Sequence, residues 1–321
     1  MLQRCLVTGG AGFIGSNLVE RLLADGASVK VLDNFSTGRR CNLDFARAPD
    51  VASRLEVLEG DIRDLEACRA AARGVEVVFH QAALPSVQRS VEDPVASHQV
   101  NATGSLHVLQ AAREAGARRV VYASSSSVYG ENPALPKTEE HETRPMSPYA
   151  ISKLAGEQYA RVFHQLYGFE AVALRYFNVF GPRQDPDSHY SAVIPRFIRR
   201  LLSGDPPDIY GDGEQSRDFT YVANVVEANL KAATAADAPG RAFNIALGGR
   251  VSLNELLRML AEILGVPARA RHLEARKGDI RHSQAGIELA REVLGYRGEV
   301  SLEEGLRRTV EHFRSPSRTG S

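Results

Sequence analysis

Short apolar runs alternate with longer amphipathic stretches through the first half of the chain. Runs at 5–7, 28–32, 55–58, 75–80 and 119–123 read as strands buried on both faces. Stretches at 13–23, 65–73 and about 97–115 place their apolar residues at helical spacing, and Gly26 supplies a stop after the first of them. Strands that alternate with helices pair in parallel beneath two helical layers. A long helical pattern at 147–167 and a strand at 171–176 continue the series. After Gly181-Pro182 the regularity breaks, and Gly and Pro cluster at 204–207 and 211–213. A helix near 223–235 and a strand near 242–246 read as a return to the sheet. Helices near 253–264, 285–294 and 302–313 follow, and the polar stretch 315–321 is expected to be disordered. The expected class is therefore α/β, a doubly wound parallel sheet with a smaller C-terminal α/β domain.

Composition narrows the function classes. The chain has 321 residues, 43% of them hydrophobic, enough for a sizeable core. Its 39 basic and 39 acidic residues cancel, so it lacks the basic footprint of a nucleic-acid binder. Cys5, Cys41 and Cys68 are odd in number and lack a C-x-x-C spacing, which argues against a disulfide framework and against a structural metal site. No leader pattern or membrane-spanning run is visible, so a cytoplasmic protein that does not enter the membrane is expected.

The first candidate chemistry is Thr8-Gly9-Gly10-Ala11-Gly12-Phe13-Ile14-Gly15, between a strand and a helix. Glycines at this junction make a tight turn, admit a pyrophosphate to the backbone and let helix and strand pack closely. The helix N-terminus then faces the phosphates. Such a triplet also marks ordinary turns, but Asp33 ends the second strand 18 residues after Gly15, near the spacing of a ribose-binding carboxylate. The expected fold is therefore of Rossmann type and the expected ligand a nicotinamide dinucleotide. A carboxylate accepts ribose hydroxyls and repels a 2′-phosphate, which favours NAD over NADP. Arg39 and Arg40 are close enough in sequence to soften that preference, although two solvated loop arginines are the plainer reading.

The second is Tyr149-Ala150-Ile151-Ser152-Lys153, which puts Tyr and Lys four apart on one helix face. A phenol is a poor base at its ordinary pKa of about 10, and a nearby ammonium and a cationic nicotinamide favour the phenolate. The pair can then move a proton while the cofactor moves hydride. Many helix faces carry both residues by chance. Here the pair follows Ser124-Ser125-Ser126-Ser127, just past the fifth strand, where ligands bind in such sheets.

With these motifs in order, the chain resembles the extended short-chain dehydrogenase/reductases, and within them the UDP-sugar 4-epimerases, especially those acting on UDP-N-acetylglucosamine. Further stretches carrying the likeness are Gly60-Asp61-Ile62, His80-Gln81-Ala82-Ala83, Asn101, Ser124 to Gly130, Arg175-Tyr176-Phe177-Asn178, Arg217-Asp218-Phe219-Thr220-Tyr221-Val222 and Gly278-Asp279-Ile280-Arg281-His282-Ser283. The resemblance implies an NAD site formed by Gly9, Gly12, Phe13, Ile14, Gly15, Asp33, Asn34, Asp61, Ile62, Gln81, Ala82, Ala83, Asn101, Tyr149, Lys153 and Phe177. It implies Tyr149, Lys153 and Ser125 as catalytic residues, with Ser126 a close competitor of Ser125. It implies a UDP-sugar site of Ser125, Ser126, Tyr149, Asn178, Arg217, Arg276, Asp279 and Ser283. Residues 1–181, with 218–248 returning to them, would bind NAD. Residues 182–217 and 249–314 would bind the nucleotide sugar.

The resemblance also orders the rivals. Related 4,6-dehydratases carry Asp-Glu after the catalytic Thr, where this chain has Ser126 and Ser127, which cannot supply carboxylate chemistry. Decarboxylases and reductases of nucleotide sugars differ less locally. A non-catalytic dinucleotide sensor is disfavoured, since both Tyr149 and Lys153 are present. Ser283 is small where a bulky aromatic would exclude an N-acetyl group, so UDP-GlcNAc/UDP-GalNAc are expected substrates, with UDP-Glc/UDP-Gal beside them. Relatives pair as homodimers through two helices per subunit, matched here by about 97–115 and 147–167.

Overall fold

The computed structural model describes residues 2–185, 192–275 and 281–314. Its strands in chain order are β1 (Arg4–Thr8), β2 (Ser28–Asp33), β3 (Leu55–Glu59), β4 (Val77–His80), β5 (Arg119–Ser125), β6 (Glu170–Tyr176), β7 (Val179–Phe180), β8 (Asp208–Tyr210), β9 (Ser216–Arg217), β10 (Thr220–Tyr221), β11 (Ala242–Ile245), β12 (Val251–Ser252) and β13 (Arg271–Leu273). Seven of them form one sheet in the order β11-β6-β5-β4-β1-β2-β3. Every pairing within it is parallel. The chain winds outward from β1 to β3 and then returns to β4 on the other side of β1. That reversal opens a crevice at the strand ends between β1 and β4, the usual place for a ligand in this architecture. The Rossmann-type expectation is met.

The central runs are apolar because both sheet faces are covered, whereas the run expected to be buried at 55–58 is the edge strand β3, in which no residue is buried. Val7, Val29, Val31, Val77, Phe79 and Val121 meet the Phe13–Ala24 and Val222–Ala232 helices on one side. Leu6, Leu32, Val78 and Val120 meet the Leu65–Ala72 and Gly104–Glu114 helices on the other. The helix expected over 97–115 is a stack of Pro94–His98, a π-turn at Gln99–Thr103 and Gly104–Glu114. The stretch expected as a helix over 285–294 contains a π-turn at Ala290–Leu294.

A separate apolar cluster joins the Val193–Leu202, Leu253–Leu264 and Leu302–Arg314 helices through Ile194, Phe197, Ile198, Leu256, Leu260, Leu306 and Val310. Three small two-stranded pairs, β7 with β10, β8 with β13 and β9 with β12, lie outside the large sheet. Among the described residues no helix is long and apolar enough to cross a membrane. The stretch 315–321 lies outside the described residues.

Candidate active site

The glycine turn is fixed by backbone meeting backbone. Gly9 has φ +69°, and a Cβ there would sit 2.6 Å from the Ala82 nitrogen. A Cβ on Gly15 would sit 2.1 Å from the Gly9 carbonyl oxygen. The Phe13–Ala24 helix begins at Gly12 with no side-chain cap, so its first-turn N–H groups suit an anion. Asp33 is buried at the end of β2, and its Oδ2 and Oδ1 accept from the Ala11 and Phe35 nitrogens at 2.9 and 2.8 Å. Each oxygen has a further lone pair for a ribose hydroxyl. Arg39 pairs with Asp185 at 2.7 Å, while Arg40 pairs with Glu59 and lies over Phe35. Both guanidiniums pair with carboxylates at the surface, in keeping with their plainer reading as solvated loop arginines.

A cleft of about 230 Å³ brings Gly9, Gly12, Phe13, Ile14, Gly15, Asp33, Asn34, Asp61, Ile62, Gln81, Ala82, Ala83, Tyr149 and Lys153 together, with Ser124, Leu84 and Tyr176. Asp61 accepts from Arg63 and Asn34, and those hydrogen bonds, Arg63 first, hold its carboxyl down at about 2. Gln81 donates to the Tyr176 hydroxyl at 3.1 Å and to Asn229 at 3.0 Å, which fixes its amide. His80, behind this wall, contacts Thr8 and Ser105 at 2.7 and 2.9 Å, and burial pushes it down to about 3. It is a neutral structural group.

Two expected cofactor residues are not among those lining the cleft. Asn101 is fully buried, and its side chain is spent on Leu84, accepting from the nitrogen at 2.8 Å and donating to the oxygen at 3.0 Å. It shapes the loop that lines the cleft rather than lining it. Phe177 packs into a core with Val128, Tyr129, Ala246, Ala285 and Ile287. It follows Tyr176 at the end of β6, and in an extended strand neighbouring side chains face opposite ways. Tyr176, which the sequence reading passed over, is the one facing the cleft.

The reactive pair sits on the Pro148–Tyr167 helix, whose N-cap Ser147 accepts from the Ala150 nitrogen. Gly156 lets this helix lie close on β5, since a Cβ there would sit 2.4 Å from the Tyr122 hydroxyl. Lys153 is buried and donates to the Ala123 carbonyl at 2.9 Å. Burial pulls its ammonium down to about 7. Burial raises the Tyr149 phenol, and a hydrogen bond with Ser125 acts the other way. Ser125 also accepts from the Ser127 nitrogen at 3.2 Å. Of the two competing serines, Ser125 is the one that acts on the Tyr149 phenol; Ser126 opens the short helical turn Ser126–Tyr129.

A second cavity, of about 260 Å³, lies beside Asn178 and Arg217. Its wall also includes Arg196, Tyr210, Gln215 and Phe219, which the sequence reading did not single out. Arg217 donates to the carbonyls of Ser216 and Arg281 at 3.0 and 3.2 Å. Asp218 takes three backbone N–H bonds instead, from Leu247, Gly248 and Ala285, and burial raises it to about 6. Ser283 donates its backbone N–H to Ser216 at 3.0 Å, which draws it alongside Arg217. Arg276 and Asp279 lie outside the described residues. Among the described residues no cluster of His, Cys, Asp or Glu could hold a metal.

Comparison with known proteins adds chemistry to this geometry. Residues 5–246 match the family described as "NAD dependent epimerase/dehydratase family". A UDP-glucose 4-epimerase of Mycolicibacterium smegmatis is 43% identical, across 98% of this chain and 100% of that one. The solved UDP-N-acetylglucosamine 4-epimerase from Methanobrevibacter ruminantium, in complex with UDP-N-acetylmuramic acid, superposes with TM-score 0.91 at 40% identity, across 98% and 99% of the two chains. A dTDP-glucose 4,6-dehydratase from Streptomyces venezuelae with NAD bound gives TM-score 0.88 at 35% identity, across 97% of each chain.

Proposed function

Because the chain belongs to the NAD-dependent epimerase/dehydratase family, we propose that it inverts carbon 4 of a UDP-hexose or UDP-N-acetylhexosamine. The observation that carries this reading is Tyr149 and buried Lys153 on the wall of the dinucleotide cleft, with Ser125 beside the phenol. The glycine turn, Asp33 and the uncapped helix start fit NAD, which would accept hydride from C4 and return it to the opposite face. Tyr149 takes the proton of the 4-hydroxyl, and Ser125 holds the phenol in place. Lys153, in the protonated fraction that burial leaves it, would draw Tyr149 toward its ionised form. Asn178 and Arg217 anchor the UDP, joined by Arg276 and Asp279, while the sugar turns between the two faces. Arg196 is a second cation for the diphosphate on the same wall.

On this reading 1–181 with 218–248 hold the cofactor, and 182–217 with 249–314 hold the nucleotide sugar. Ile151, Tyr159 and Leu166 leave apolar surface on the tyrosine helix, with Val91 and Val95 exposed on neighbouring elements that pack against it. That surface supports a homodimer, and sedimentation at micromolar concentration tests it: a monomer refutes it. Free Cys5, Cys41 and Cys68 suit a cytoplasmic location.

Ser283 favours the N-acetylated substrates. Side-by-side turnover of UDP-GlcNAc and UDP-Glc is the direct test, and no C4 epimer from either refutes the epimerase reading. Ser283→Tyr should suppress UDP-GlcNAc turnover first, and an equal fall in both refutes the gate. The dehydratase relative supports a second reading, water elimination across C5 and C6. Ser126 and Ser127 offer no carboxylate for that proton transfer, so formation of a 4-keto-6-deoxy product is not expected.

A further inference from the structure

The tyrosine helix touches β5 through three side chains on one face, four residues apart. Tyr149 faces Ser125, whose hydroxyl opposes the upward push of burial on the phenol, and Lys153 donates to the Ala123 carbonyl at 2.9 Å. Glu157 accepts from the Ser124 hydroxyl at 2.9 Å. The first two contacts belong to the reactive centre. The third does not, and it is the most heavily supported.

Glu157 and Arg175 form a buried ion pair, each side chain 6% exposed. Arg175 Nε donates to the same carboxylate oxygen that receives Ser124, at 3.0 Å. Its Nη1 donates to the Tyr129 hydroxyl at 2.8 Å, and that hydroxyl donates to Asn244 at 2.7 Å. Asn244 is itself tied to the Lys137 and Gly286 carbonyls at 2.9 and 3.0 Å. In the sheet Ser124 stands opposite Arg175, and Ser125 opposite Tyr176. Strands β5, β6 and β11 and the tyrosine helix therefore converge on one carboxylate. Burying two charges is expensive and is not by itself a gain in stability over an apolar pair. A directional carboxylate does what an apolar contact cannot: it fixes how far the helix slides along the strand.

Resting on the epimerase reading, we propose that Glu157, braced by Arg175, is a positioning residue: its hydrogen bond from Ser124 sets the register of the tyrosine helix on β5 that brings Tyr149 against Ser125. Ser124 is the link to cut, because removing Glu157 would strand a buried guanidinium and threaten folding. Ser124→Ala deletes one hydroxyl and leaves the ion pair intact.

The test compares wild type, Ser124→Ala and Ser124→Thr in the cofactor-loaded protein. In Ser124→Ala, kcat should fall about tenfold with KM within error of wild type, beside the modest drop in melting temperature that loss of one hydrogen bond to a buried carboxylate implies. The acid limb of the pH–kcat profile should move to higher pH, because a phenol less well held by Ser125 ionises less readily. Ser124→Thr, which keeps the hydroxyl, should restore both. The ionisation of Tyr149, read as the ultraviolet titration of each protein minus that of its Tyr149→Phe partner, should move up in Ser124→Ala. An unshifted titration and pH profile overturn the proposal. So does a drop in melting temperature with kcat unchanged, which is what a purely structural role predicts. The titration needs no turnover, so it stands even if Tyr149→Phe retains full activity and the epimerase reading itself fails.

Discussion

The cleft over β1, β4 and β5 draws its walls from the ends of one seven-stranded parallel sheet, whereas the cavity at Arg217 is walled in part by strands of two and three residues from separate parts of the chain. In the first, the reactive groups hang on elements whose cores are fixed on both faces. In the second, Asn178, Arg196 and Arg217 come from three segments that meet through the β7–β10 and β9–β12 pairs and the helices around Phe197 and Leu256. The difference suggests a division of labour. A rigid sheet end keeps proton and hydride chemistry in register, and a patchwork wall holds a nucleotide while a sugar turns.

The largest effect expected from this division is at Tyr149. Tyr149→Phe should lower kcat by about 10³-fold, the usual reach of a positioned acid–base group, with little change in KM. Full activity in that variant would remove Tyr149 as the base and with it the claim that the sheet end houses the chemistry. Arg217→Ala should act on the other side of the comparison. It should raise KM for the UDP-sugar by roughly 10–100-fold, as loss of a charge-assisted hydrogen bond worth about 1.5–3 kcal/mol implies, and leave kcat within a few-fold. Equal losses in kcat and kcat/KM would show that the wall also serves the transition state.

The smallest expected effect is on stability. Lys153 is pulled down to about 7 from its ordinary 10.5 by burial, so the folded protein binds fewer protons there than the unfolded chain between those values. Its contribution to stability therefore rises with pH across that window and is least favourable below it, where the ammonium is buried at full cost. In protein stripped of cofactor, the melting-temperature advantage of Lys153→Met over wild type should be greatest near pH 6 and shrink toward pH 9. A pH-independent difference would show that the buried ammonium is compensated.

The same contrast explains what the sequence displayed. The central strands of the large sheet are apolar runs long enough to read, unlike the half-exposed edge strand β3, and the glycine turn, Asp33, Tyr149 and Lys153 announce themselves by local spacing. Two-residue strands such as Ser216–Arg217 carry no readable alternation, so that wall was hidden. The Val193–Leu202 helix, which the sequence pattern did not suggest, tolerates Pro195 because it sits in the first turn, where a backbone N–H has no helical partner to lose. Asn101 and Phe177 were placed at the cofactor by resemblance. Where their side chains pack depends on a π-turn and on strand alternation, which only the fold reveals. The Glu157–Arg175 pair was equally invisible, since nothing in their spacing says that they meet.

The most direct test of the central claim is a labelled turnover. UDP-GlcNAc carrying deuterium at C4 is incubated with the protein and the products are read by NMR. The account predicts the C4 epimer with its deuterium retained and no net accumulation of reduced cofactor. Washout of the label into water, or a keto product with reduced cofactor left behind, would contradict it.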